Sequence, residues 1–113
     1  MAYTPLRGRS NFKHVFSRGQ ARRSNGLVLH WAPNGLSENR YAVAAKVAAG
    51  RAVTRNRLRR WGRELLRRWD PRLSVGHDLV IIARNREASE SFQDFEYHLG
   101  QVLRKAELSN NVY

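Results

Sequence analysis

The sequence predicts a single α+β domain in which helices pack against a small sheet. The chain has 113 residues, the usual size of one domain, and 42% of them are apolar, which is enough for a packed core. Helical and strand patterns alternate in the order αβββαβα, and the strand–helix–strand pattern spans 40–48, 52–69 and 78–83. We therefore treat residues 1–113 as one domain of mixed helix and strand.

The first element is a short amphipathic helix that follows a basic arm. Residues 1–9 are basic and are expected to form a mobile arm. Ser10 is a suitable N-cap, and Gly19 ends the helical pattern. The apolar positions recur at helical spacing and are Phe12, Val15 and Phe16.

Three strands are predicted next. Residues 20–25 form a short polar strand, and residues 27–32 alternate two sets of side chains between the faces of a second strand. A Pro-Asn-Gly turn follows at 33–35, and residues 40–48 form the third strand, so a hairpin with 27–32 is expected. The two sets in the second strand are Leu27, Leu29 and Trp31 on one face and Val28, His30 and Ala32 on the other.

The second half contains the long helix, a buried strand and the last helix. Gly50 precedes a helix over 52–69, which Asp70-Pro71 ends. The continuous apolar run at 78–83 is typical of a strand in the middle of a sheet. Ser89 or Ser91 caps a last helix that runs to about residue 107, and residues 108–113 are expected to fray. The apolar face of this helix comprises Phe92, Phe95, Leu99, Val102 and Leu103.

The long helix separates its apolar and basic residues cleanly. At 100° per residue, one face collects Thr54, Leu58, Trp61, Leu65 and Trp69. The opposite face collects Asn56, Arg59, Arg60, Arg63 and Arg67, flanked by Arg57, Glu64 and Arg68. Like charges three or four positions apart repel, and an ordinary solvated face usually mixes signs. A phosphate backbone, which arginine binds bidentately, explains this face better.

Composition limits the other functions. The formal net charge is +12 and the pI about 11.5, so a polyanionic partner is expected, either nucleic acid or an anionic membrane surface. Arginine greatly outnumbers lysine, which favours nucleic acid. There is no Cys, no secretory h-region and no apolar run long enough to span a membrane, so the protein is expected to be cytoplasmic. The histidines and acids show neither metal-ligand spacing nor a nucleophile–base arrangement, so no metal site and no catalytic residue are predicted in the protein.

These motifs together resemble the protein component of bacterial ribonuclease P. The strongest resemblance is the run GRAVTRNRLRRWGRELLRR at residues 50–68, which opens the long helix. Weaker motifs occur in the order found in the family, and an apolar strand with a Pro-Asn-Gly turn at 27–35 lies between the two given next. The first contains Phe12, Val15, Phe16 and Gly19, and the second contains Gly76, Asp78, Val80, Ile82, Ala83 and Arg84.

The resemblance implies an α/β two-layer sandwich with a left-handed βαβ crossover. It also implies two RNA partners, the catalytic ribonuclease P RNA and precursor tRNA, whose 5′ leader the enzyme removes with Mg²⁺ held at the RNA active site. The catalytic RNA would contact Arg55, Asn56, Arg57, Arg59, Arg60, Arg63 and Arg67. A cleft between the first helix and the sheet would receive the leader at Phe12, Phe16, His30 and Lys46.

The sequence departs from the family pattern at two positions of this cleft. His30 stands where the family usually has an aromatic residue, often Tyr. Lys46 is displaced by one residue from a Ser-Lys-Lys run that the family has before Gly50. Two other functions are possible from the sequence. The first is a non-catalytic structural RNA binder or chaperone. The second is a metal-dependent nuclease, although the sequence lacks the acidic cluster that such an enzyme needs.

Overall fold

The computed structural model describes residues 3–109 and contains a four-stranded sheet with helices on both faces. The order αβββαβα and the α+β class are confirmed, and the long helix has the predicted bounds. The elements are α1 (Arg9–Arg18), β1 (Gln20–Ser24), β2 (Leu27–Pro33), β3 (Arg40–Ala45), α2 (Ala52–Trp69), β4 (His77–Ala83) and α3 (Phe92–Lys105), with single 3₁₀ turns at Val47–Ala49, Asp70–Arg72 and Arg86–Ser89.

The order of the strands in the sheet is β1-β2-β4-β3. β4 pairs antiparallel with β2 and parallel with β3, so the hairpin expected between β2 and β3 is wrong. An apolar strand is buried most completely when it has a neighbouring strand on each side. β4 takes such a position and therefore separates β2 from β3. β3, α2 and β4 form a parallel crossover unit, whose handedness stays a prediction.

The two faces of the sheet carry different helices. The main core lies on one face, where β2 and β4 contribute side chains such as Leu29 and Ile81, and α2 and α3 contribute Leu65 and Leu103. A smaller cluster lies on the opposite face, where Val15 of α1 packs with Ala32, Val80 and Leu6. As a result, α1 and α2 lie on opposite sides of the sheet.

α2 approaches the sheet more closely than its apolar pattern predicts. A Cβ atom at Gly62 would lie 2.8 Å from Cγ1 of Val43, so a side chain there would force the helix away from β3. Gly62 and Leu66 join the buried stripe. Trp61 is only half-buried, and its ring contacts Phe92 of α3 with centroids 5.4 Å apart. The packed stripe is thus rotated slightly from the predicted one.

Both ends of the described chain contact the body of the domain. Within the arm predicted at 1–9, Leu6 is buried and donates its backbone N–H to the carbonyl of Tyr41 at 2.7 Å. Gly8, not Ser10, caps α1, which already begins at Arg9. At the other end, Leu108 is buried and its carbonyl accepts from Ser74 N–H at 2.8 Å. Residues 3–8 and 108–109 therefore pack against the rest of the domain. The mobility of the arm and the fraying of the tail stay predictions, and residues 1–2 and 110–113 lie outside the described part.

Candidate nucleic-acid interface

The outer face of α2 is an exposed basic surface. Arg68 forms an ion pair with Glu96, with Nη1 and Oε2 3.6 Å apart. Among residues 3–109, the other exposed arginines of this helix form no ion pair. The positive charge is therefore free to meet an external anion. The exposed part of the predicted set is Asn56, Arg60, Arg63 and Arg67.

The other predicted arginines of α2 are half-buried on its two flanks. Arg55 Nε donates to the carbonyl of Gly50 at 3.2 Å, and Arg59 Nη2 donates to Oδ1 of Asn56. On the other flank, the Arg57 guanidinium lies over the Trp61 ring, 5.3 Å from its centroid, and its Nε is buried without a partner. These contacts orient the three side chains along the border of the exposed face. The seven predicted residues therefore form one exposed row with two oriented flanks.

On the opposite side of the sheet, α1 carries an accessible aromatic residue. Phe16 is 49% exposed, and its ring makes an edge-to-face contact with His30, with centroids 4.8 Å apart. Phe12 is half-buried against the small cluster that includes Val15 and Val80. The structure thus brings Phe16 and His30 together at the surface, whereas Phe12 also supports the packing of α1.

Beside α1 the face of the sheet is only partly covered, and we call this accessible apolar surface the groove. His30, Val80 and Ala42 lie in one row across β2, β4 and β3. In the next row, Ile82 is half-buried and Ala44 is exposed, so α1 leaves this part of the sheet accessible. Such a surface fits the bases of a single strand better than a duplex, whose bases face inward.

The far end of the groove is basic. Lys46 is exposed directly after β3, and its backbone N–H donates to the carbonyl of Ala83 at 2.8 Å. By strand alternation Lys46 follows Ala42 and Ala44 on the groove face. Lys46 therefore lies at the end of the groove. The row of the sheet that contains Ala44 separates it from the row that contains His30.

Two arginines that the sequence did not single out as site residues also lie near this groove. Burial lowers the pKa of His30, and the positive charges of Arg23 and Arg84 lower it further. The imidazole is therefore neutral near pH 7 and can stack as an aromatic ring. Side chains alternate between the two faces along β1. This pattern places Arg23 on the face that carries His30 only when the register between β1 and β2 is known, because Arg23 pairs with Val28.

Within residues 3–109 no cluster of three or more His, Asp or Glu side chains could hold a metal ion. In the same part of the chain, none of the helices is both long and apolar enough to cross a membrane.

Comparison with known proteins places these features in one family. The family model described as Ribonuclease P matches residues 2–107. A ribonuclease P protein component from Clostridium botulinum (strain Loch Maree / Type A3) is 35% identical over 111 residues, which cover 97% of this chain and 100% of that protein. One from Caldanaerobacter subterraneus is 34% identical over 107 residues, covering 93% of this chain and 90% of that protein.

Solved structures show the same fold. The Staphylococcus aureus RNase P protein superimposes with a TM-score of 0.86 at 22% identity and covers 97% of this chain and 100% of that chain. The Thermotoga maritima RNase P protein gives a TM-score of 0.78 at 29% identity, covering 89% and 96% respectively. The chain therefore belongs to the ribonuclease P protein family, the RNA-binding protein subunits of the endoribonuclease ribonuclease P.

Proposed function

We propose that the arginine face of α2 binds the catalytic ribonuclease P RNA. The exposed row can contact successive phosphates, because its side chains stand about one helical turn apart and its arginines form no ion pair within residues 3–109. The half-buried Arg55, Arg57 and Arg59 would add contacts at the border, since their guanidinium groups are already oriented. The residues proposed for this interface are Arg55, Asn56, Arg57, Arg59, Arg60, Arg63 and Arg67.

The groove beside α1 would bind the single-stranded 5′ leader of precursor tRNA. A leader base can stack on the exposed side of Phe16 or on neutral His30, and the apolar floor excludes water beneath it. Phe12 would line the wall of the groove and Lys46 would meet a phosphate at its end. The groove thus combines the stacking and charge that single-strand binding requires.

One observation carries the proposal: α1 and α2 lie on opposite faces of the sheet. The protein can therefore hold the catalytic RNA on one face and a leader on the other at the same time. The RNA and its Mg²⁺ ions would perform the hydrolysis, and the protein would increase the affinity for substrates that carry a leader. This work would take place in the cytoplasm during tRNA 5′ maturation.

Reconstitution tests the proposal. Purified protein is mixed with a bacterial ribonuclease P RNA at low Mg²⁺ concentration, and leader removal from precursor tRNA is measured. Cleavage should require the RNA and should increase with the protein. Binding without any increase in cleavage would indicate a general RNA binder, and cleavage by the RNA-free protein would contradict the accessory role.

A further inference from the structure

A cavity of about 340 Å³ opens beside the groove, between the β1–β2 turn and the end of β4. Arg23 and Arg84 form its charged wall, Val28 lies at its floor, and Asn85 closes one side. Val28 pairs with Ile82 in the sheet row next to His30. The cavity is therefore continuous with the accessible floor of the groove beyond His30.

The wall of this cavity contains close contacts between the β1–β2 turn and the segment after β4. The β1–β2 turn places Asn25 and Gly26 at φ of 48° and 84°, and the Gly26 carbonyl accepts from Arg84 N–H at 2.8 Å. A Cβ atom at Gly26 would lie 2.4 Å from Oδ1 of Asn85, so only glycine allows this approach. A backbone hydrogen bond and a close contact thus join the turn to the segment after β4 at the wall of the cavity.

The arginines of this wall are available for an anion. Arg23 and Arg84 are exposed, and within residues 3–109 neither guanidinium forms an ion pair or a side-chain hydrogen bond. Both project from the groove face, since Arg23 pairs with Val28 and Arg84 follows Ile82 by alternation. Arginine in such a position binds a phosphate with charge-assisted hydrogen bonds.

We infer that this cavity extends the leader groove and that Arg23 and Arg84 bind the phosphate of a leader nucleotide beyond the Phe16–His30 pair. The inference rests on the proposed leader site. Positive charge would then reach the leader from β1 and from the end of β4.

The experiment compares Arg23→Ala with Arg22→Ala in the reconstituted holoenzyme. Arg22 is the matched control because it is the next residue of β1, has the same charge and lies on the opposite face, with its guanidinium 5.6 Å from the centroid of Trp31. Affinities are measured for mature tRNA and for precursor tRNAs whose leaders lengthen one nucleotide at a time. Melting temperatures of all variants are recorded, and Phe16→Ala is included to report on the groove itself.

Arg23→Ala should bind precursor tRNA about three- to tenfold more weakly once the leader passes a threshold length, and should bind mature tRNA normally. Arg22→Ala should match the wild type at every length. Equal losses for both variants, a loss that includes mature tRNA, or no loss for Arg23→Ala would overturn the inference. If Phe16→Ala loses leader affinity while Arg23→Ala does not, only the extension fails; if neither loses it, the proposed leader site fails as well.

Discussion

Phe16→Ala separates leader binding from the stability of the fold. The side chain is 49% exposed, so its removal forfeits about half of the roughly 1.5–3 kcal/mol that full burial of Phe contributes, or about 1 kcal/mol. For a domain of this size the melting temperature should fall by about 5 °C. If one leader base stacks on the ring, the lost stacking is worth about 1–3 kcal/mol, which corresponds to about 5- to 150-fold in affinity.

The assay measures the affinity of holoenzymes for precursor tRNA with a leader of several nucleotides and for mature tRNA. Val15→Ala is the matched control, because Val15 lies on the same helix but is only 1% exposed. Val15→Ala should lower the free energy of unfolding by about 2 kcal/mol, which is more than Phe16→Ala should. It should reduce the affinities for precursor and mature tRNA equally or not at all.

The reasoning about Phe16 is refuted by either of two results. The first is an equal loss of affinity for the precursor and the mature tRNA. The second is a drop in melting temperature as large as that of Val15→Ala, which would assign Phe16 to the packing of α1. A selective loss for the precursor with a small drop in melting temperature is the outcome that the groove predicts.

Three further predictions concern α2 and the groove. Arg63→Ala should weaken binding to ribonuclease P RNA and reduce the salt slope of log K by a little under ~1, without lowering the melting temperature, because the side chain is exposed; an unchanged slope in filter binding would make this face a solvated surface. His30→Tyr should tighten leader binding, since Tyr offers a larger ring. Folding lowers the pKa of His30 below its ordinary value of 6.5. Between these two pKa values the unfolded state binds more protons than the folded state. The free energy of unfolding of the wild type therefore falls as the pH drops below about 6.5. Thermal melts at pH 7.5 and 5.5 should show a smaller loss for His30→Tyr, and identical losses would contradict the shift. Gly62→Ala should cost a net ~1–2 kcal/mol in urea unfolding, because the contact with Val43 outweighs the gain in helix propensity of about 1 kcal/mol; a stabilised variant would show that α2 can move away from β3.

The sequence alone determined the features that depend on local spacing. The bounds of α2 and its arginine face follow from a 3.6-residue period and from Gly50 and Asp70-Pro71 at its ends, and the structure has the same bounds. Likewise, the continuous apolar run of β4 indicated a central strand, which the sheet order confirms. Ser91 was one of two predicted caps for α3, and its hydroxyl accepts from Asp94 N–H at 3.0 Å.

Only the tertiary structure decided which distant segments meet. Strand pairing depends on backbone hydrogen bonds between residues far apart in the chain, so the insertion of β4 between β2 and β3 could not be read from the Pro-Asn-Gly turn. The contact between Phe16 and His30 depends on where α1 lies on the sheet, whereas the shared wall of Arg23 and Arg84 depends on the register of β1, β2 and β4. A local pattern states which face of an element is apolar, but the partner of that face is selected by packing the whole chain at once.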